Sequence, residues 1–511
     1  MIVRVLILIF LFGFGATYKL LVVFPFPGKS HAILGEGLVK HLLNAGHEIT
    51  YISQIPMRDP SPHIRQIVIN SDEEMYVNKN LIMNFPSGRV GLSIIHNLLY
   101  DVVNASVMSE GVQTFLLDVD QQFDAVIAEW MFNEVLAGFS AVFNCPLIWS
   151  SSMIPHSSIL WLIDEALHPA YTAGNMESRD IPPLSFWGRM DELWLLMWSR
   201  YYEWKMSALN EKVYTSAFQS AVEKRGRKLP SFYEIKYNGS LVLGNSHVST
   251  GDGNPMPLNY VHIGGYHIDT PVKPLPQDLK EIMDNATNGV IYFSMGSLLM
   301  STVLPSTFKQ SFIDMFSTLN HTVLWKLDED LSLPENVHNV KWAPQQSILA
   351  HPNCMLFISH GGLLSATETL HLGVPIIGLP IYGDQENNIN RAVAKGYGIK
   401  VTIGYDSALK VKEAIDEIFN NPRYRIKAKE VSWIYHHRPV PPGQELVYWV
   451  EHVVRTGGAP HLRSIRLRVP WYQKMFLDLA ALLLGIFVIL YGLIRYALSH
   501  RRDSRYKLKF N

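Results

Sequence analysis

Residues 342–385 read WAPQQSILAHPNCMLFISHGGLLSATETLHLGVPIIGLPIYGDQ. The run 355–358 (MLFI) is followed at once by Ser359, His360, Gly361 and Gly362, and a second run, 375–379, leads into Pro380, Asp384 and Gln385. Short apolar runs bounded by glycine and polar turns are the mark of buried strands, and the longer stretch between them has helix length. The rhythm of strand, glycine turn, helix, strand and polar loop predicts an α/β unit with parallel strands. Ligands of such sheets sit outside the carboxyl ends of the strands. His360, Glu368, Asp384 and Gln385 are therefore predicted to share one rim.

The same grammar runs outward in both directions. Residues 19–24 (KLLVVF) predict a strand broken by PFPG at 25–28; Ser30 is expected to cap a helix to about residue 45, and a strand follows at 48–52. This opening is Rossmann-like but has no GxGxxG, so it does not call for a dinucleotide. His31 falls just past the helix start, where the helix dipole disfavours a cationic imidazole. A neutral histidine at a strand rim can act as a general base. The run 123–130 (FDAVIAEW) predicts a parallel neighbour ending at Glu129, within reach of the far nitrogen of His31; Asp124 lies at the wrong end of that strand. Asp118 and Asp120 form a DxD, but it precedes a strand and reads as solvated surface.

Composition shifts over 248–276, rich in glycine and proline, and a second βα series follows with strands expected at 289–294, 322–327, 337–342 and 398–403. The expected organisation is a first lobe over 18–247, a linker over 248–276, and a second lobe with closing helices over 277–470. The fold class is α/β, two Rossmann-like parallel-sheet lobes with a cleft between them.

The chain has 511 residues and a net charge of −1, which gives no basic surplus for nucleic acid. Residues 1–17 carry a charged start, an apolar core and small residues at the end, as a secretory signal peptide does. Residues 475–494 hold one charge, Asp478, within an expected membrane helix at 471–495. The arginines and lysines of 496–511 make that tail cytoplasmic and leave the lobes lumenal; Lys507 and Lys509 resemble a dilysine retrieval signal for the endoplasmic reticulum. Sequons at Asn104, Asn238, Asn285 and Asn320 fit that topology. The two cysteines, Cys145 and Cys354, read as buried free thiols, and no metal-ligand motif is present. Six of twelve tryptophans (Trp149, Trp161, Trp187, Trp194, Trp198 and Trp204) lie between 149 and 204. Such a cluster serves an apolar ligand pocket, a membrane-facing surface or plain core.

In the second lobe, Gly361 and Gly362 open a helix whose amides favour phosphate, and His360 and Ser365 can add donors. Glu368, three residues after Ser365 on one helix face, suits the vicinal hydroxyls of a ribose. Trp342 offers a flat surface to a base and Gln345 an amide to its edge, while Asp384 and Gln385 can read sugar hydroxyls. Together these describe a site for a nucleotide diphosphate sugar.

Trp342-Ala-Pro-Gln345, the run from Phe357 through His360, Ser365 and Glu368, and the run from Pro375 to Asp384-Gln385 resemble the UDP-glycosyltransferase signature. The resemblance extends to the N-terminal segment with His31, the Phe-Ser-x-Gly-Ser turn at 293–297, the GGAPHLR segment at 457–463 and the membrane tail, and is nearest to membrane-bound animal members of insect type. It implies a GT-B fold with the acceptor in the first lobe and the UDP-sugar in the second. It implies donor contacts at Ser297, Trp342, Gln345, His360, Gly362, Ser365, Glu368, Asp384 and Gln385, and catalysis by His31 with Glu129, where the family usually has aspartate. It further implies inverting transfer to a hydroxyl of a small lipophilic acceptor, with no metal and no cofactor beyond the UDP-sugar co-substrate. Glucose is the favoured sugar and glucuronic acid the second. A dedicated steroid or lipid acceptor, a non-catalytic lipophile-binding protein and a homo-oligomer stay open.

Overall fold

The computed structural model describes residues 17–57, 61–69, 92–174, 178, 180–250, 253–296 and 304–507. The expected signal peptide up to residue 16, Ser297 and the last four residues, including Lys509, lie outside them.

Two all-parallel sheets carry the fold. The first has strands β1 (Lys19–Phe24), β2 (Glu48–Ser53), β3 (Ile64–Val68), β4 (Ala125–Trp130), β5 (Leu147–Ser151), β6 (Gly239–Gly244) and β7 (Tyr260–His262), in the order β3-β2-β1-β4-β5-β6-β7. The second has β8 (Val290–Ser294), β9 (Thr322–Trp325), β10 (Val337–Asn339), β11 (Cys354–Ser359), β12 (Ile376–Gly378) and β13 (Gly398–Lys400), in the order β10-β9-β8-β11-β12-β13. Each order reverses once, between β1 and β4 and between β8 and β11. At such a switch point the flanking loops part and leave a crevice.

The strands are apolar on both sides because both faces are covered. One face of the first sheet packs Val126, Trp149 and Phe218, and the other packs Leu20, Val22 and Ile127 against Leu34, Leu38 and Leu42 of helix α1 (Lys29–Asn44). Ser30 does not cap α1. Gly28 is the N-cap, and no side chain bonds the first amides.

Helix α2 (Phe186–Lys224) runs 39 residues from a Ser185 cap whose side chain accepts the Gly188 amide. Its inner face buries Leu195, Met206, Val213 and Phe218. Trp187, Trp194, Trp198 and Trp204 point outward, with exposures of 77, 58, 38 and 73 %. The tryptophan-rich segment is thus split. Trp149 is core, the Arg200 guanidinium lies 3.4 Å from the Trp161 ring centroid, and the remaining four lie on a solvent face.

In the second lobe, helices α3 (Gln345–Ala350), α4 (Leu363–Leu372) and α5 (Gln385–Ala394) follow β10, β11 and β12. Two findings depart from the expected boundaries. β7 falls inside the segment read as linker and extends the first sheet. Helix α6 (Pro442–Arg455), at the end of the second lobe's sequence, packs on the first lobe instead: Leu446, Val450 and Val453 join the core around Leu34, Leu38 and Leu42. Their i, i+4, i+7 spacing makes one apolar stripe. Gly443 permits the approach, since a Cβ there would sit 2.1 Å from the His41 ring. Cys145 and Cys354 are both free.

Residues 464–511 form a separate unit containing helix α7 (Leu477–Lys507). Its stretch Leu477–His500 is the one helix among the described residues long and apolar enough to cross a membrane.

Candidate active site

The first switch point assembles His31 and Glu129. Val23 pairs with Ala128, so the next residue along β4, Glu129, lies beside the end of β1. After β1 the chain turns through Gly28, whose carbonyl accepts the His31 amide at 3.0 Å. His31 Nδ1 then faces Glu129 Oε1 in a short hydrogen bond. The Ser152 hydroxyl donates to the same oxygen, while Glu129 Oε2 has no hydrogen-bond partner. The Glu129 side chain is fully buried and that of His31 is 13 % exposed. A buried carboxyl group needs hydrogen-bond partners, and the two donors on Oε1 supply them. Asp124 is at the opposite end of β4, where its carboxylate accepts the Lys19 amide at 2.7 Å.

The second switch point assembles the ring of His360 between glycines. A Cβ at Gly296 or at Gly362 would each stand 2.5 Å from that ring, and Gly361 adopts φ +85° to make the turn into α4. Burial, then the nearby Lys326 charge, holds His360 at about 4. It is therefore a neutral donor at physiological pH. The cation beside it is Lys326, at the rim just past β9, whose ammonium donates to the Gly296 carbonyl at 2.8 Å. Burial lowers the Lys326 pKa, Asp328 opposes this and Lys29 adds to it.

The donor residues expected from sequence form one network. Gln345 Nε2 donates to Glu368 Oε2 at 2.5 Å and to the Ser365 hydroxyl at 3.2 Å, and its carbonyl accepts from Tyr292 at 3.3 Å. Gln346 Nε2 reaches Glu368 Oε1 at 3.1 Å. Ser365 and Glu368 are both buried on α4. Trp342 keeps 48 % of its surface exposed, with Lys29 of the first lobe 5.3 Å and Lys326 5.8 Å from its ring centroid.

Asp384 and Gln385 begin α5, each fixed by the protein. Asn388 bridges the Asp384 carboxylate and the Gly361 carbonyl, both at 3.0 Å. Gln385 Oε1 accepts the Ile381 and Tyr382 amides and so shapes its own loop. Burial raises the Asp384 pKa, and the Asn388 bond and the charge of His31 work against it. Lys29, two residues before His31, lies 5.3 Å from the Trp342 ring centroid, so the start of α1 faces the rim of the second lobe. Asp118 folds back onto the Asp120 amide at 3.1 Å and the Gln121 side chain at 2.8 Å, which makes it a turn.

Of the expected site residues, His31 and Glu129 meet directly, as do Gln345, Ser365 and Glu368. His360 lies against Gly362, and Asp384 is tied to Gly361 through Asn388. Sequence reasoning missed Ser152, Lys326, Lys29 and Gln346. Lys326 follows a strand end and was open to the rim argument; nothing in the Ser150–Ser152 run marks its last residue.

A family profile described as "UDP-glucoronosyl and UDP-glucosyl transferase" matches residues 94–502. UDP-glycosyltransferase UGT5 of Dactylopius coccus is 32% identical over 498 residues, covering 94% of this chain and 92% of that protein. UDP-glucosyltransferase 2 of the same insect is 30% identical, covering 96% and 95%. The solved structure of a Polygonum tinctorium UDP-glucosyltransferase superposes with a TM-score of 0.56 at 16% identity, over 87% of this chain and 99% of that one. At that identity the likeness establishes the fold, which is GT-B.

Proposed function

Given that the chain belongs to the UDP-glucuronosyl and UDP-glucosyl transferase family and is a glycosyltransferase, we propose that it moves glucose from UDP-glucose to a hydroxyl of a small lipophilic acceptor, with inversion and without a metal. The observation that carries this reading is the buried His31–Glu129 pair at the start of α1, a helix whose Lys29 reaches the Trp342 ring of the other lobe.

His31 bonds Glu129 through Nδ1, which leaves Nε2 to take the acceptor proton. The acceptor oxygen forms its bond to the anomeric carbon as the bond from that carbon to UDP breaks. The imidazolium is stabilised by Glu129. General-base help of this kind is worth ~10²–10⁴-fold. Charge growing on the departing diphosphate is met by the Lys326 ammonium, the neutral His360 and the first amides of α4. Trp342 stacks on uracil, Gln345 contacts the nucleoside, Glu368 holds the ribose, Ser365 adds a donor to the diphosphate, and Asp384 with Gln385 reads the sugar. In this reading the lobes are lumenal, the stretch Leu477–His500 spans the endoplasmic reticulum membrane, and the role is detoxification or hormone conjugation.

The test uses microsomes of the expressed chain given UDP-glucose and UDP-glucuronate with mixed phenols and steroids, read by mass spectrometry. Glucosides that vanish in His31→Ala, with UDP binding retained, are expected. Turnover unchanged in that variant would sink the base assignment, and glucuronides in place of glucosides would replace the sugar.

A further inference from the structure

The chain leaving β7 touches both sides of the cleft within a few residues. On the first-lobe side it is strapped to α1, the helix that carries His31. His41 Nε2 meets the Tyr266 carbonyl at 2.8 Å, and Lys40 meets Asp269 at 2.5 Å. A Cβ at Gly37 would stand 3.1 Å from the Cα of His267. On the second-lobe side the same segment is fastened by Gln346. Its carbonyl accepts the Asp269 amide at 3.1 Å, and its Nε2 is shared between the His267 carbonyl at 3.5 Å and Glu368 Oε1 at 3.1 Å.

The imidazole of His267 lies inside this junction, 8 % exposed, and neither ring nitrogen has a hydrogen-bond partner. Buried polar groups are nearly always paired, because an unmet one bears its full desolvation cost. Nε2 lies 3.6 Å from Glu368 Oε1, about half an ångström beyond hydrogen-bond length. The carboxylate it addresses is the one that the proposed function assigns to the ribose.

We propose that His267 is a positioning residue for nucleoside recognition. When the ribose hydroxyls engage Glu368, His267 Nε2–H closes onto Oε1. The carboxylate is then held by three side chains, Gln345, Gln346 and His267, with its remaining lone pairs aimed at the vicinal diol. Because residues 266–269 are also tied to α1, the same closure draws the His31 helix toward the donor. Ribose binding in one lobe thereby sets the base in the other. The inference rests on the UDP-sugar reading of the second lobe.

The test is the affinity of the full chain, in detergent, for UDP and for 2′-deoxy-UDP. A hydrogen bond to a charged group supports a preference for UDP of roughly 10–100-fold in the unaltered protein. His267→Phe is expected to cut that preference below about threefold and leave 2′-deoxy-UDP within about twofold of its original affinity. His267→Gln restores part of it, and Glu368→Gln with His267→Phe is no worse than Glu368→Gln alone. Equal loss for both nucleotides means a merely structural histidine and overturns the proposal, as does an unchanged preference in His267→Phe. Should that variant fail to fold, His267→Leu is read by the same criteria. An unaltered protein that binds UDP and 2′-deoxy-UDP alike overturns the ribose role of Glu368 itself, which separates failure of the function from failure of this inference.

Discussion

Replacing Glu129 with glutamine keeps the shape of the dyad and removes its charge. The amide oxygen can still accept from His31 Nδ1 and from the Ser152 hydroxyl, the two donors now on Oε1. What is lost is the attraction between a carboxylate and the imidazolium formed as His31 takes the acceptor proton. The Glu129 side chain is 0 % exposed, so water does not screen the pair. Two unit charges about 4 Å apart at an effective dielectric of about 20 attract by ~4 kcal/mol. The charge-assisted bond exceeds a neutral one by roughly 1 kcal/mol, a gain already inside that figure. A loss of 3–4 kcal/mol corresponds to a kcat lower by roughly 10²–10³-fold. Glu129 belongs to the lobe opposite Trp342, Gln345 and Glu368, so UDP affinity should not move. The assay is initial-rate UDP release with a saturating acceptor, beside UDP binding and thermal unfolding on the same sample. A Glu129→Gln enzyme within about twofold of the original kcat would refute the claim that the carboxylate carries the imidazolium.

Other consequences are as direct. Gly362→Ala puts a Cβ 2.5 Å from His360 Nε2, so the ring must leave its place, and UDP affinity measured by calorimetry should fall about tenfold or more. His156 is buried between the Trp130 and Phe132 rings, and burial alone holds its pKa at about 3. The unfolded chain therefore binds a proton that the native one refuses between pH 6.5 and about 3, and stability drops as pH falls through that window. His156→Phe should flatten the decline of Tm from pH 6.5 to 4 relative to the unaltered protein, and an equal slope in both would contradict this. Leu446→Ala, at a fully buried site where α6 meets α1, should cost ~2–5 kcal/mol in denaturant unfolding; a cost under ~1 kcal/mol would mean that α6 is not part of the first lobe's core.

The rims of both sheets were legible because a buried parallel strand is a short apolar run whose end is punctuated by glycine or proline. That placed His31, Glu129, His360 and Asp384 at strand ends without knowledge of strand order. The run 123–130 also reads as a parallel neighbour of the first strand, and β1 does pair with β4; the order of the remaining strands came from the fold. β7 was illegible since three residues among prolines carry no period. In the sequence the tryptophan cluster stays open between pocket, membrane-facing surface and core because aromatic content does not reveal which face of a 39-residue helix meets the core. Ser152 had no signal: its role depends on β5 ending beside β4, a relation between residues 23 apart.

The return of α6 to the first lobe has a consequence for anyone who would exchange parts between such enzymes. Cutting the chain after β7 would appear to separate an acceptor cassette from a donor cassette. Leu446, Val450 and Val453 would then be left on the donor piece, and the surface they cover on Leu34, Leu38 and Leu42 would be bare. A chimera built to graft a new acceptor preference must carry residues 442–463 along with the N-terminal piece, so the unit of inheritance here is two segments of sequence and not one.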